Sequence, residues 1–118
     1  MSLGAFIFGK LDSIASTYPA PVPIDVDAPY ITYSIDGQET VPVTNGSAVI
    51  INYVTITAYA VDYDSAVALY DSIKATLSGA VDVQLGIMGV VYNSMSNGYD
   101  GEPIDLHNVT LEFSIYER

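Results

Sequence analysis

The clearest pattern in the chain is a switch from strand-like to helix-like spacing of apolar residues between Ala48 and Gly79. From Ala48 to Ala60, β-branched and aromatic residues dominate. Because alternate residues of a strand point to opposite faces, this segment predicts a strand with one apolar face. The residues expected on that face are Ile50, Asn52, Val54, Ile56 and Ala58.

The segment that follows predicts an amphipathic helix. Asp62 or Asp64 can each accept hydrogen bonds from the free N–H groups of a first helical turn. Gly79 suits the left-handed position that often ends a helix. The apolar positions between these signals recur at helical spacing, at Ala66, Leu69, Tyr70, Ile73 and Leu77, and predict one buried stripe.

The N-terminal segment also has a helical pattern. Its apolar residues recur at Leu3, Phe6, Ile7, Leu11 and Ile14, which predicts an amphipathic helix up to Tyr18. Prolines at positions 19, 21 and 23 forbid its continuation.

The segment between the prolines and Ala48 predicts extended structure. Residues 22–26 read as a short edge strand or a linker, and residues 29–35 read as a strand in which Ile31, Tyr33 and Ile35 alternate with polar residues. Asp36 and Gly37 predict a turn. Residues 38–47 are polar and contain a proline, so we expect a loop or a ragged hairpin extension there.

The C-terminal third predicts two strands and a loop. Residues 81–93 have strand propensity, interrupted by Gly86 and Gly89, which often mark bulges. A flexible loop is expected from about Ser94 to Asp105. The last strand alternates cleanly, with Val109, Leu111, Phe113 and Ile115 on one face.

These elements predict a single α+β domain over residues 1–118. The expected element order is α-β-β-α-β-β, with an antiparallel or mixed β-sheet and both α-helices packed on one face. The 118 residues are enough for one apolar core without disulfides, and the chain has no cysteine.

Composition narrows the function classes. The formal net charge is −11, with only three basic residues, so direct binding to nucleic-acid phosphates is not expected. No apolar stretch is long enough to span a membrane, and the N-terminus lacks the basic region of a secretory signal, so production in the cytosol is expected. The ten tyrosines indicate either a subunit with several interaction surfaces or a tyrosine-rich core.

Candidate chemistry in the sequence is weak. His107 lies near Asp105, but a triad needs a nucleophile as well. Asp100, Glu102 and Asp105 offer oxygen ligands without the spacing of a calcium loop. The carboxylate pairs are Asp25 with Asp27, in a proline-rich segment, and Asp62 with Asp64, which capping explains. No phosphate-binding glycine motif occurs. We therefore expect no enzymatic activity, no cofactor and no metal site.

Several segments resemble the tail terminator, or tail completion, proteins of long-tailed bacteriophages and prophages. The resemblance covers most of the chain and lies in the order of elements and in four stretches. These are Pro29–Tyr33, Tyr59–Asp62, Ala66–Leu77 and Phe113–Tyr116. The strong acidity and the long Gly/Asp-rich segment after the third main strand depart from the family pattern.

The resemblance implies a structural protein of the virion tail, made in the host cytoplasm during assembly. Proteins of that family form a ring, commonly of six copies, that caps the tail tube and stops its polymerisation. The ring also joins the tube to the head connector, and DNA passes through its lumen without specific binding. Loops carry recognition on a rigid scaffold, so residues 36–47 and 93–105 are the expected contacts to tube or connector. Within the second segment the contact residues are Asn97, Tyr99, Asp100, Glu102 and Asp105. The alternatives are a neck adaptor of other origin and a small non-enzymatic protein–protein interaction module.

Overall fold

Two helices and five strands follow one another along the chain. The computed structural model describes residues 3–19, 29–42, 48–82, 86–100 and 106–117. The elements in chain order are α1 (Leu3–Leu11), β1 (Ser16–Pro19), β2 (Tyr30–Pro42), β3 (Ala48–Ala60), α2 (Tyr63–Leu77), β4 (Ile87–Asp100) and β5 (Leu106–Glu117).

The strands form one mixed sheet in the order β1-β2-β3-β5-β4. β1 runs parallel to β2, and the other neighbouring strands are antiparallel. The β2–β3 hairpin tip lies at the end of the sheet where Ile50 pairs with Glu117. The β4–β5 tip lies at the other end, where Ala60 pairs with His107. The two hairpins therefore point in opposite directions, along a molecule that is 54 Å in its longest dimension.

The predicted fold class was wrong. The observed order is α-β-β-β-α-β-β, because an additional strand, β1, precedes β2. The two helices also do not cover the sheet together as expected. Helix α2 contacts β3, β4 and β5, whereas α1 contacts β1, β2 and α2. Only α2 therefore lies across the centre of the sheet, and α1 packs beside its β1 edge.

The N-terminal helix is shorter than the apolar spacing predicted. Helix α1 ends at Leu11, and a turn follows in which the Leu11 carbonyl accepts hydrogen bonds from the N–H groups of Ile14 at 2.9 Å and Ala15 at 3.3 Å. Residues Ser16–Pro19 instead pair with Tyr30–Tyr33. Thr17 is β-branched and its hydroxyl donates to the Ala15 carbonyl at 2.9 Å, so this stretch suits extended backbone once a partner strand is present.

The apolar core lies between α2 and one face of the sheet, and residues of α1 extend it at the β1 edge. The faces predicted for β3 and β5 are confirmed, because Val54, Ile56 and Ala58 are buried together with the alternating residues of β5. The largest fully buried side chains are Phe113, Ile7, Leu11, Ile31, Ile56, Ile73, Leu77, Leu111, Ile115, Val54, Val109 and Asn52. The opposite face, called the outer face here, is the polar side of the sheet.

Strand β2 continues past the predicted turn. Asp36 is a bulge residue between Ile35 and Gly37, and the pairing with β3 resumes and runs to Pro42. The prediction of a turn at Asp36–Gly37 was therefore wrong. The predicted hairpin extension is confirmed for residues 38–42. The predicted strand or linker at residues 22–26 lies outside the described residues.

The end of α2 follows the sequence signals. Gly79 has φ +78°, a conformation that glycine adopts without steric cost. Its N–H donates to the Val90 carbonyl at 2.9 Å. The end of the helix is thereby tied to strand β4.

Candidate functional site

The acidic residues before α2 have a structural role. Asp62 is the N-cap, and its carboxylate accepts a hydrogen bond from the Ser65 N–H at 2.7 Å. That bond, followed by the Ser65 hydroxyl and the charge of His107, lowers the pKa of Asp62. Asp64 lies in the first turn, where a negative charge interacts favourably with the positive end of the helix dipole. Capping by Asp62 is therefore confirmed.

His107 lies beside this helix terminus. It pairs with Ala60 and Tyr99 in the sheet, and its ring meets the Tyr63 ring edge-on at 6.2 Å between centroids. Its sequence neighbour Asp105 lies outside the described residues. The contact between the His107 and Tyr63 rings therefore connects β5 to the start of α2.

The carboxylates that were considered as oxygen ligands, and then not expected to bind a metal, are only partly described. Asp100 belongs to β4, whereas Glu102 and Asp105 lie outside the described residues, as do Asp25 and Asp27. Within the described part of the chain, no three His, Cys, Asp or Glu side chains are grouped as metal ligands.

The predicted partner-contact segment is largely a strand. Residues 94–100 were expected in a loop, but β4 runs to Asp100. Asn97 is exposed and pairs with Val109, Tyr99 pairs with His107, and Asp100 pairs with Leu106. The loop prediction failed because this stretch of glycine, serine and asparagine has weak strand propensity and gains its hydrogen bonds from β5. Glu102 and Asp105, the other two predicted contacts, lie beyond the described strand end.

The outer face carries a shallow pocket that is lined by residues of β2, β3, β4 and β5. It has a volume of about 110 Å³ and is lined by Asp36, Tyr53, Val54, Thr55, Asn93, Glu112 and Phe113. Asp36 accepts hydrogen bonds from the hydroxyls of Ser34, at 2.9 Å, and Thr55. Glu112 accepts one from the Ser94 hydroxyl at 2.6 Å. Both carboxylates are therefore engaged by hydroxyls of the same sheet.

The two sides of the sheet differ in charge, because both lysines lie on the helix side together with Asp64 and Asp71 of α2. In the described ranges, the lysines lie on the helices. Lys10 on α1 lies over the Phe6 ring at 5.9 Å, and Lys74 on α2 lies over the Tyr92 ring at 4.6 Å. The outer face, by contrast, carries the carboxylates of Asp36, Glu39 and Glu112. This face offers acidic and hydroxyl groups to a partner.

A buried polar group ties the base of the β2–β3 hairpin to β5. Asn52 is 0% exposed, and its amide oxygen accepts a hydrogen bond from the Gln38 amide at 2.6 Å. Its amide nitrogen donates to the Glu117 carboxylate at 2.9 Å and to the Ile115 carbonyl at 3.3 Å. A satisfied buried amide of this kind favours one register over its alternatives.

The hairpin also has an exposed contact between its two strands. The Tyr53 hydroxyl donates to the Glu39 carboxylate at 2.8 Å. This hydrogen bond is the main cause that raises the pKa of Tyr53. The contact holds β2 beside β3 beyond the region that β1 covers.

Strand β4 forms one edge of the sheet and is uncharged from Ile87 to Tyr99, unlike the acidic chain as a whole. At its start the segment Gly79–Asp82 runs beside it, since the Asp82 N–H and the Ile87 carbonyl are 3.0 Å apart. Beyond Val90, within the described residues, β4 pairs with β5 alone. We call Val91–Tyr99 the free β4 edge. It contains no charged residue and no proline.

The free β4 edge exposes apolar side chains on both faces of the sheet. Val91 is 48% exposed and shares the outer face with Ser114, and Met95 is 40% exposed on the face of Leu111. This surface was not predicted from the sequence. Its signal was the uncharged run from Ile87 to Tyr99 in a chain of net charge −11, which was interpreted as a strand followed by a loop.

The second edge of the sheet has a different character. Strand β1 pairs with β2 only from Tyr30 to Tyr33. Beyond that point, in the part of the chain that the structure describes, β2 pairs with β3 alone. We call Ser34–Pro42 the free β2 edge. It contains Asp36, Glu39 and Pro42, which are features that natural proteins use to prevent uncontrolled strand pairing.

Neither described helix is long and apolar enough to cross a bilayer. No protein-family model and no curated protein sequence matches the chain. Among solved structures, the fold is similar to that of a chain in the structure titled "Virion of native gene transfer agent (GTA) particle". The TM-score is 0.75 at 16% sequence identity, and the match covers 98% of this chain and 94% of the other. At this identity the likeness shows a shared fold.

Proposed function

We propose that this chain is a structural subunit of a phage-like virion, and specifically a tail terminator. In this role, a ring of probably six copies caps the tail tube, stops its polymerisation and joins the tail to the head connector. The observation that carries the proposal is the fold likeness, which extends over 98% of the chain, to a component of a gene transfer agent virion. The tail-terminator-like segments of the sequence supply the finer assignment.

The geometry is compatible with a subunit that has two different partners. The two hairpin tips lie at opposite ends of the sheet, so one subunit can contact the tube at one end and the connector at the other. The proposed contacts at the β4–β5 tip are Asn97, Tyr99, Asp100, Glu102 and Asp105. At the other end they lie in residues 36–47.

The electrostatics support passage of DNA without specific binding. Each copy has a net charge of −11, so a ring of six copies multiplies that charge sixfold. The outer face presents the carboxylates of Asp36, Glu39 and Glu112. A lumen lined by such groups repels phosphates and leaves DNA free to slide.

The proposed function includes no enzymatic activity. Three carboxylates of the described residues, at the start of α2 and in the outer-face pocket, are engaged by hydrogen bonds within the fold. Asp62 caps α2, and Asp36 and Glu112 accept bonds from hydroxyls of the sheet. These contacts favour structural over catalytic roles.

The decisive experiment is electron microscopy of particles from cells that lack this protein. Tail tubes of uncontrolled length without attached heads support termination. Tails of normal length that lack only head attachment instead assign the chain to a neck adaptor. Complete, infectious or gene-transferring particles contradict any structural role in the virion and favour a non-viral interaction module. Antibody labelling of wild-type particles at the head–tail junction is the matched positive control.

A further inference from the structure

We infer that copies of this chain associate by pairing the free β4 edge, Val91–Tyr99, of one copy with the free β2 edge, Ser34–Pro42, of the next. This inference deepens the proposed function, on which it rests, by naming the two surfaces that form the ring. It assigns the overlapping residues, Asn97, Tyr99 and 36–42, to the contact between copies and leaves the remaining tip residues to the tube and connector. It starts from the contrast between the two edges of the sheet.

The free β4 edge lacks the charged residues and proline that commonly protect an edge strand. Natural sheets guard such edges with charged residues, proline, bulges or short strands. β4 is a strand of 14 residues. It has bulges at Met88 and Asn93, but no charge or proline stands between Val91 and Tyr99. An exposed, uncharged edge of this length is a template for pairing with another strand.

Charge indicates which partner fits. Two copies of a chain with net charge −11 repel each other over most of their surfaces. The free β4 edge is a surface on which an acidic partner meets no like charge. On the free β2 edge, Asp36 and Glu39 oppose pairing with a second acidic edge, but they meet no carboxylate at the free β4 edge. A basic partner gains nothing at an uncharged edge and is better served by the outer face.

Strand direction also agrees with head-to-tail pairing. β4 is antiparallel to β5, β5 to β3, and β3 to β2, so β2 and β4 run in opposite directions within one copy. A rotation about an axis roughly along the strands keeps each direction. The β2 of one copy then lies antiparallel to the β4 of its neighbour, and antiparallel pairing is the more stable kind.

The two edges also match in length, since both runs contain the same number of residues. Val91 is level with Gly37, because Val91 pairs with Ser114, Ser114 with Tyr53 and Tyr53 with Gly37. From that level the free β4 edge runs toward the β4–β5 tip, whereas most of the free β2 edge runs toward the β2–β3 tip. Neighbouring copies must therefore be staggered along the strands, which requires strands tilted from the ring axis as they are in closed sheets. Such a contact uses two different surfaces and closes into a ring when the rotation permits.

Three matched valine-to-lysine variants test the pairing. Val91→Lys places a charge on the free β4 edge, and Val41→Lys places one on the free β2 edge. Val61→Lys is the control, because Val61 is 67% exposed between β3 and α2 and away from both edges. Sedimentation of each purified full chain is measured over a concentration series at high salt, which screens the general repulsion. Thermal melting confirms that each variant is folded.

We expect the wild-type chain and Val61→Lys to associate equally. Val91→Lys and Val41→Lys should each associate at least about tenfold more weakly, because charged side chains, lysine above all, prevent pairing at an edge strand, and the high salt screens their attraction to Asp36 and Glu39. An equal mixture of these two variants should form a dimer and stop there, since it holds one intact pair of edges. Hydrogen exchange should slow in β4 amides of the wild-type chain on association.

Other results overturn the inference in distinguishable ways. If Val41→Lys alone forms a dimer that Val91→Lys does not, β4 pairs with itself. Unchanged association of Val91→Lys excludes the β4 edge, and equal weakening by Val61→Lys shows a general charge effect. A wild-type chain that stays monomeric also contradicts the pairing. None of these results decides the virion role, which the particle experiment tests separately.

Discussion

The amide nitrogen of Asn52 donates a hydrogen bond to the carboxylate of Glu117 across 2.9 Å. This bond joins the middle of β3 to the last residue of β5, and Gln38 extends it to β2. One buried side chain therefore connects three strands at the base of the β2–β3 hairpin.

Asn52→Ala should lower the free energy of unfolding by about 1–3 kcal/mol, because it removes a satisfied buried amide and leaves its partners without their bonds. Urea denaturation monitored by circular dichroism measures this change. Asn97→Ala is the matched control, since Asn97 is exposed and its loss should change stability by less than about 0.5 kcal/mol. Equal effects of the two substitutions would show that the Asn52 network does not stabilise the fold.

Ile73→Ala should destabilise the protein by about 2–5 kcal/mol, because Ile73 is fully buried between α2 and the sheet. Leu69 lies on the same helical stripe but is only partly buried, so Leu69→Ala should cost less. Denaturant titrations of both variants provide the comparison. A larger loss at Leu69 contradicts the observed position of α2 over the sheet.

The Asp62 cap should make part of the stability dependent on pH. Its pKa lies below the ordinary value of 3.8 in the folded chain, so its contribution is complete above that value and is lost as the pH falls through the folded pKa. Asp62→Asn keeps an N-cap acceptor but cannot titrate. The variant should therefore lose less stability than the wild type between neutral pH and about pH 2. Parallel curves of unfolding free energy against pH would exclude this role.

The contact between Tyr53 and Glu39 should act at alkaline pH. The pKa of Tyr53 is raised above the ordinary value of 10.0, mainly by its hydrogen bond to Glu39. Its contribution to stability is therefore present below that value and is lost as the pH rises through the folded pKa. Glu39→Gln should move the Tyr53 pKa back toward the ordinary value, as followed by NMR of labelled tyrosine. The same substitution should leave the pKa of Tyr92, whose rise comes mainly from the hydrogen bond to Tyr70, unchanged.

Local patterns predicted the elements whose hydrogen-bonding and burial signals lie within one segment. The alternating faces of β3 and β5 and the stripe of α2 agree with the structure, because strand and helix periods are properties of a short stretch. The cap at Asp62 and the end at Gly79 follow from backbone groups that need partners nearby. The sequence therefore predicted the buried faces of β3, β5 and α2, but neither the fold class nor the packing of the two helices.

Predictions failed where distant strands supply the hydrogen bonds. Ser16–Pro19 continues a helical spacing in sequence but pairs with β2, and Asp36–Gly37 has turn chemistry but lies within a strand that β3 keeps paired. The polar residues at the end of β4 were expected in a loop, but in the structure they pair with β5. In each case a pairing partner overrides the local preference.

The sequence by itself determined which residues are buried along β3, α2 and β5, since apolar periodicity encodes the side of an element that leaves water. It also determined a strongly acidic surface. Only the tertiary structure decided which strands lie at the edges of the sheet, because strand order depends on contacts between distant segments. The uncharged run from Val91 to Tyr99 forms an exposed edge only because β4 is the terminal strand in that order.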